Sequence, residues 1–500
     1  MLLTLTSIAN NKWLNAIKKF LYSPYYIGLV AAISACANLF GLELPVWYAY
    51  TFLAIVGALF ADDALPFVPL VCCGYITVSY NNNPAGHYGS SLFDDKSSIT
   101  QLIIIGVMLV ATVIARLVFD LVKPKVVNRK RNLPRLLYGL IFLGLAYIFA
   151  GVMPAPAYEG LYWKSVLFGI VQIACLAVPY LYFHYTVDWD KVKRTYLAQV
   201  FVGLGFALVA EIIGMYVIAF DSLSAEETFR RGLLVTGWGI YNNVGFLMAF
   251  CIPFAFNLAV RCRHEWLYSI IGVLFEVALL FTQSRGSILC GTAIFLVCAV
   301  YTAWKLKGHD RWVTVGATLG FCLALGVLWI IFREEMSQIF ATMKDAGFDD
   351  SNRFKIYRDG LAQFAESVQS IFFGNGFYAC KNFRWGNLPE DAFLPPRYHN
   401  TIVQLLATGG IFALICYLFH RVQTLQVCLI HRTQERLFAL AAILVLTSSS
   451  MLDCHFFNMG PGLVYSIMLV FAEDVISNEH NSEVTEALPQ SADTNEEAQN

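Results

Sequence analysis

Hydrophobic positions in this chain run together instead of alternating. A helix needs about 20 mainly apolar residues to cross a bilayer core. Runs of that kind recur near 25–40, 45–61, 64–80, 100–122, 136–153, 164–184, 196–220, 243–260, 266–282, 286–303, 313–332, 400–420, 437–452 and 460–473. The pattern predicts an all-α, polytopic membrane helix bundle of about 12–14 transmembrane helices. Residues 1–332 hold about 11 of the runs and 400–475 about 3. Between them, 333–399 forms one large connection. Residues 476–500 are acidic and polar, without Lys or Arg, which is the composition of a disordered tail. No internal repeat stands out.

Lys12, Lys18 and Lys19 precede the first run, which ends in Ile33-Ser34-Ala35-Cys36-Ala37. A secretory signal with a lipoprotein-like box has this arrangement. The expected reading is an uncleaved first helix, and either reading leaves the later topology unchanged.

Composition supports the membrane class. The chain is 58% hydrophobic and 14% charged, and its mean hydropathy is +0.59. Soluble domains carry about 25% charged residues. The net charge of −1 comes from charges segregated along the chain, and no nucleic-acid partner is expected. The 13 cysteines lack metal-ligand spacing. Most, such as Cys72, Cys73, Cys251 and Cys298, lie inside apolar runs and read as small apolar residues. Cys380 and Cys454 fall outside the runs, and a disulfide between them is one option.

Short loops rich in Lys and Arg stay in the cytoplasm. Lys123, Lys125, Arg129, Lys130, Arg131 and Arg135 follow the fourth run, and Lys191, Lys193 and Arg194 the sixth. Arg261 and Arg263 follow the eighth, Lys305, Lys307 and Arg311 the tenth, and Arg421, Arg432 and Arg436 the twelfth. All are even-numbered exits, so the N-terminus and the tail are expected inside and 333–399 outside. A connection of that length is usually functional. Within it, Asp350-Ser351 reads as a helix start, and Phe354, Tyr357, Leu361, Phe364 and Val368 recur at helical spacing. This predicts an amphipathic helix on the protein or membrane surface, ended by Gly374-Asn375-Gly376. Leu394-Pro395-Pro396 then forms a rigid lead into Arg397-Tyr398-His399-Asn400.

This topology gathers several polar residues on the external side: Arg230 and Arg231, Arg285 in a tight turn, Arg353 at the loop-helix start, and His399 at the water boundary. Each has a plain explanation. Arginines at helix ends snorkel to the interface, and a boundary histidine often only hydrogen-bonds. Arg285 is the hardest to dismiss, because so short a turn has little room for an idle cation. Taken together, guanidinium groups hold phosphate oxygens bidentately and a histidine can take a proton from a hydroxyl. The combination suits a lipid-linked diphosphate sugar. No Asp or Glu adjoins His399, so its orienting partner must come from elsewhere, with Asp453 as the candidate. Glu211 and Glu276 lie mid-helix, where ionisable groups are costly. They keep open a competing reading as a transporter, such as a flippase for lipid-linked sugars. Such a protein would be expected to show repeat symmetry and broken helices at mid-membrane.

Ser284-Arg285-Gly286, Arg353, Phe373-Gly374-Asn375-Gly376, His399-Asn400 with Gln404-Leu405-Leu406, and Gly409-Gly410 resemble, in order and spacing, the shared region of O-antigen ligases and O-antigen polymerases. Arg231 with Gly237 to Asn243 resembles the segment before it, so the resemblance spans roughly 228–420. It implies an inverting, metal-independent glycosyltransferase of the bacterial inner membrane, without a cofactor and with its site facing the exterior. The donor would be an undecaprenyl-diphosphate-linked glycan and the acceptor a sugar hydroxyl, on a growing glycan or on a lipid A core. Arg285 and Arg353 would contact the donor diphosphate, with Arg231 as a further candidate. His399 would be the base or acceptor positioner. Ligase, polymerase and protein-glycosylating activities all use this region, so its residues leave the acceptor open.

Overall fold

The computed structural model describes residues 12–40, 42–60, 65–74, 96–122, 133–153, 162–187, 191–222, 235–236, 239–262, 265–331, 333, 353–378, 397–430, 433–457 and 459–486. Its helices are α1 (Lys12–Leu21), α2 (Pro24–Phe40), α3 (Glu43–Phe60), α4 (Val68–Gly74), α5 (Lys96–Val122), α6 (Leu137–Val152), α7 (Tyr162–Thr186) and α8 (Lys191–Ser222). They continue with α9 (Tyr241–Arg261), α10 (Glu265–Phe281), α11 (Arg285–Lys305), α12 (Gly308–Ile331), α13 (Arg353–Phe364), α14 (Val368–Phe373), α15 (Thr401–Ile430), α16 (Gln434–Leu452) and α17 (Met459–Glu486). A two-residue hairpin, Val235–Thr236 with Gly239–Ile240, precedes α9.

Every expected span coincides with a helix, and the fold is an all-α polytopic bundle. Among the described residues, seven helices are long and apolar enough to cross a membrane, or up to eight if the bent α1–α2 pair is one span. Others, α6 included, are apolar but shorter. Of the third expected span, residues 65–74 are described and include the helix α4. At the other end, α17 continues to Glu486, so residues 476–486, expected in the tail, are helical.

The centre of the bundle is α9, whose residues Val244 to Ala259 are all buried. It packs against α8, α10, α11 and α16, while α15 packs on α6 and α17 on α7. Glu276 of α10 accepts a hydrogen bond from Thr292 of α11 at 2.5 Å, which gives one carboxylate oxygen a partner within the bundle. Arg421 departs from expectation. Because α15 runs on to Ile430, Arg421 lies inside the helix and not in a loop. Its guanidinium packs over Phe456 (4.4 Å), Tyr417 (4.9 Å) and Tyr465 (5.1 Å) and donates to the Tyr465 hydroxyl at 3.0 Å. Ring quadrupoles and a hydroxyl stand in for water here.

The feature that ties the long connection to the bundle is a break in α15. Gly410 has φ 67 and ψ −165, so the helix ladder is interrupted there. Carbonyls freed inside an apolar bundle need other donors. The Phe373-Gly374-Asn375-Gly376 segment supplies them: Asn375 N donates to Ala407 O at 3.0 Å and Gly376 N to Thr408 O at 2.9 Å. The next amide, Phe377 N, donates to Ala150 O of α6 at 3.0 Å. The two backbones approach so closely that a Cβ at Gly374 would lie 2.2 Å from Thr408 C, and one at Gly410 would lie 2.4 Å from Phe372 C.

A helix lies where periodicity placed it, divided into α13 and α14. Ile356 and Gly360 are buried, joined by half-buried Tyr357, and pack with Tyr398, Val403 and Ala407 at the start of α15. Phe354 and Leu361 of α13, and Val368 of α14, are exposed.

Candidate functional site

His399 is held by its neighbours in an uncommon backbone state. Its φ is 51, in the left-handed region that costs a non-glycine residue about 1–2 kcal/mol. Three contacts secure it. Tyr398 N donates to Gln404 Oε1 at 2.9 Å, and the Tyr357 hydroxyl donates to the His399 carbonyl at 3.1 Å. Asn400 caps α15, its Oδ1 accepting from Ile402 N at 2.9 Å and Val403 N at 3.1 Å while its Nδ2 donates to Met451 O at 2.8 Å. Strain of this kind concentrates at functional positions. Among the described residues the only other non-glycine with positive φ is Gln283 (φ 55), two residues before Arg285.

The imidazole Nδ1 of His399 lies 3.1 Å from Asp453 Oδ1. An ionised carboxylate only accepts, so Nδ1–H is the donor and Nε2 remains as the basic nitrogen. The His399 side chain is 35% exposed and that of Asp453 only 11%. Asp453 ends α16 and is fixed from every side: Oδ2 accepts from Asn242 Nδ2 at 3.1 Å, and Oδ1 also accepts from Cys454 N at 2.8 Å. Burial opposes its charge. The hydrogen bond from His399, with the nearby imidazoles of His455 and His399 and the Arg397 guanidinium, outweighs burial and holds the carboxyl well below the usual range.

The network reaches the Arg285 turn. The Ser284 hydroxyl donates to Asn242 Oδ1 at 3.0 Å, so a hydrogen-bonded path runs Ser284, Asn242, Asp453, His399. Close packing keeps this end in register, since a Cβ at Gly286 would lie 2.8 Å from the Leu452 side chain. Beneath Asp453, buried His455 stacks on Phe246 (4.9 Å, 18°), with its Nδ1 3.1 Å from Asn243 Oδ1. Burial lowers the His455 pKa to about 4, with Asp453 acting in the opposite sense, so this imidazole is neutral at pH 7. The turn His455–Phe457 is itself anchored: Gln172 Nε2 donates to Phe457 O at 3.0 Å, and Phe456 covers Arg421.

The structure therefore brings His399 and the start of α11, which carries exposed Arg285, to one end of the bundle. Half-buried Arg353 opens α13, one turn before Tyr357, and its charge is felt at His455. Arg231 lies outside the described residues, as do Arg230 and Cys380. Cys454 is a free, buried thiol. Arg397 and His455 were not singled out in the sequence, yet both act electrostatically on Asp453. Their signal was proximity alone: each stands two residues from His399 or Asp453. Among the described residues no three His, Cys, Asp or Glu side chains come together as a metal-holding group.

Positive charge collects at the other end. Arg194 near the start of α8 lies 3.8 Å from Glu435 at the start of α16, and Arg261 at the end of α9 pairs with the same carboxylate. Lys305 ends α11 there too.

Residues 270–418 match the model of a protein family described as O-antigen ligase. The match runs from α10 into α15 and contains Arg285, Arg353 and His399. The search of curated proteins returned no match to this chain.

Proposed function

From the O-antigen ligase domain carried by residues 270–418, we propose that this protein is a membrane glycosyltransferase that moves a glycan from an undecaprenyl-diphosphate carrier to a sugar hydroxyl. The observation that carries the reading is the His399–Asp453 pair, whose histidine lies within the matched residues. Nε2 of His399 accepts the proton of the acceptor hydroxyl as its oxygen attacks the anomeric carbon. The bond from that carbon to the diphosphate oxygen breaks from the opposite face, inverting the centre. Asp453 holds the ring in the Nδ1–H tautomer and stabilises the imidazolium formed. Arg285 and Arg353, with Arg231 as a further candidate, bind the diphosphate and stabilise it as it leaves. The chemistry asks for neither metal nor cofactor. The acceptor is a sugar of a growing glycan or of a lipid A core.

The segregation of charge supports an external site. Arg194, Arg261 and Lys305 gather at the end away from His399, and short loops rich in Lys and Arg stay in the cytoplasm. A cysteine introduced at position 350 should label from outside intact cells. Labelling only after the membrane is opened would reverse the orientation.

Arg285 supplies a test of the donor assignment. Arg285→Ala should lower transfer by about 10²-fold, the usual worth of a charge-stabilising donor. Arg285→Lys should recover little, because an ammonium cannot reproduce the guanidinium fork. Transfer rate per folded molecule is the readout, and full activity in both Arg285→Ala and Arg353→Ala would remove the assignment.

A further inference from the structure

The two loop helices carry an apolar face that the bundle does not cover. On α13, Phe354 is 58% exposed and Leu361 43%; on α14, Val368 is 72% exposed and Phe372 53%. Phe354 and Leu361, seven residues apart, share one side of α13. Exposed Lys355 and Arg358 lie on the same helix, with Asp359 half-buried and Glu366 exposed after its end. Four large apolar side chains left in water would each forgo favourable burial.

Their surroundings identify the solvent. Phe373 of α14 stacks on Phe149 of α6 (5.9 Å, 21°), and Phe149 meets Phe412 of α15 edge-on at 4.7 Å. Ile148 and Ile415 on these same two helices are exposed, as lipid-facing side chains are. The outward face of the loop helices thus continues the lipid-facing surface of the bundle. An apolar face bordered by cations at the end of a bundle matches the headgroup layer, with apolar groups in the acyl boundary and Lys or Arg at the phosphates.

We propose that α13 and α14 form a platform seated in the headgroup layer of the bilayer, which sets His399 at the height where a lipid-linked diphosphate is presented. The connection to the site is direct: Tyr357 of α13 holds the His399 carbonyl at 3.1 Å, and Arg353 lies one turn earlier on the same helix. The seating stands on packing alone, whereas the height argument rests on the glycosyl-transfer reading.

The test uses full-length protein in vesicles of phosphatidylethanolamine and phosphatidylglycerol. A photoreactive benzoylphenylalanine replaces Leu361 or Val368, one at a time. On illumination the protein should gain the mass of a phospholipid at both positions. Cross-links to residues 333–352 or 379–396, to a second copy, or to nothing, would overturn the platform. The double variant Leu361→Asp, Val368→Asp should keep its melting temperature in detergent but transfer about tenfold more slowly in vesicles, as its membrane seating weakens. Unchanged transfer in that variant would overturn the height-setting role. Lipid cross-links in a protein that transfers no glycan at all would keep the seating and reject the glycosyltransferase reading.

Discussion

Replacing His399 with alanine is expected to lower glycan transfer by about two to four orders of magnitude in a protein that stays folded, the usual worth of a positioned base. The ring's packing role is small, since its side chain is 35% exposed. Its backbone is the demanding part, because φ is 51. Asparagine tolerates that conformation better than most residues. His399→Asn should therefore retain the fold and remain inactive. Asp453→Asn supplies the complementary reading. An amide in that place can donate to the ring, which favours the tautomer with its proton on Nε2, the nitrogen needed as base. Transfer should fall by at least about 10²-fold with donor binding unchanged. If His399 served only to hold the loop, His399→Asn would restore both fold and activity. Transfer per folded molecule, with the melting temperature recorded alongside, separates the two.

The second large effect concerns the interlock between the loop and α15. Gly374→Ala or Gly410→Ala should destabilise the protein by roughly 4 kcal/mol or more, a size reserved for a steric conflict that cannot relax. Both glycines have positive φ, and in both the added Cβ would strike backbone carbon, at 2.2 Å and 2.4 Å. Backbone cannot rotate away as a side-chain tip can. The measurement is the yield and melting temperature of detergent-purified protein. Gly316→Ala is the control, since nothing lies within 4 Å of that position. Wild-type stability in the Gly410→Ala protein would show that the break in α15 is not held by the loop.

These examples show what kind of information a sequence exposes. Membrane helices were legible because lipid demands long apolar runs, and α9 or α15 could be placed from that demand alone. His399 was legible from its place between Pro395-Pro396 and an apolar run. Asp453 could be named only as a candidate, because 54 residues separate the two and the hydrogen bond depends on how α15 meets α16. Arg397 and His455 read as ordinary boundary residues until the fold set them beside one carboxylate. The face of α13 that meets the bundle carries little sequence signal for a different reason. Its contact with α15 is made at Gly360, where an added Cβ would lie 2.7 Å from Tyr398 and Val403. Close approach through a missing side chain leaves no hydrophobic signal, whereas Phe354 and Leu361 advertise a face that the bundle leaves open.

The most direct test of the account is incubation of purified protein in vesicles with an undecaprenyl-diphosphate-linked oligosaccharide and a sugar acceptor, beside the His399→Asn variant. Glycan length and attachment would be read by mass spectrometry and released carrier by chromatography. The account predicts that the wild-type protein forms one new glycosidic bond for each undecaprenyl diphosphate released, and that His399→Asn forms almost none. Movement of the intact lipid-linked glycan across the bilayer, with no bond formed by either protein, would contradict it.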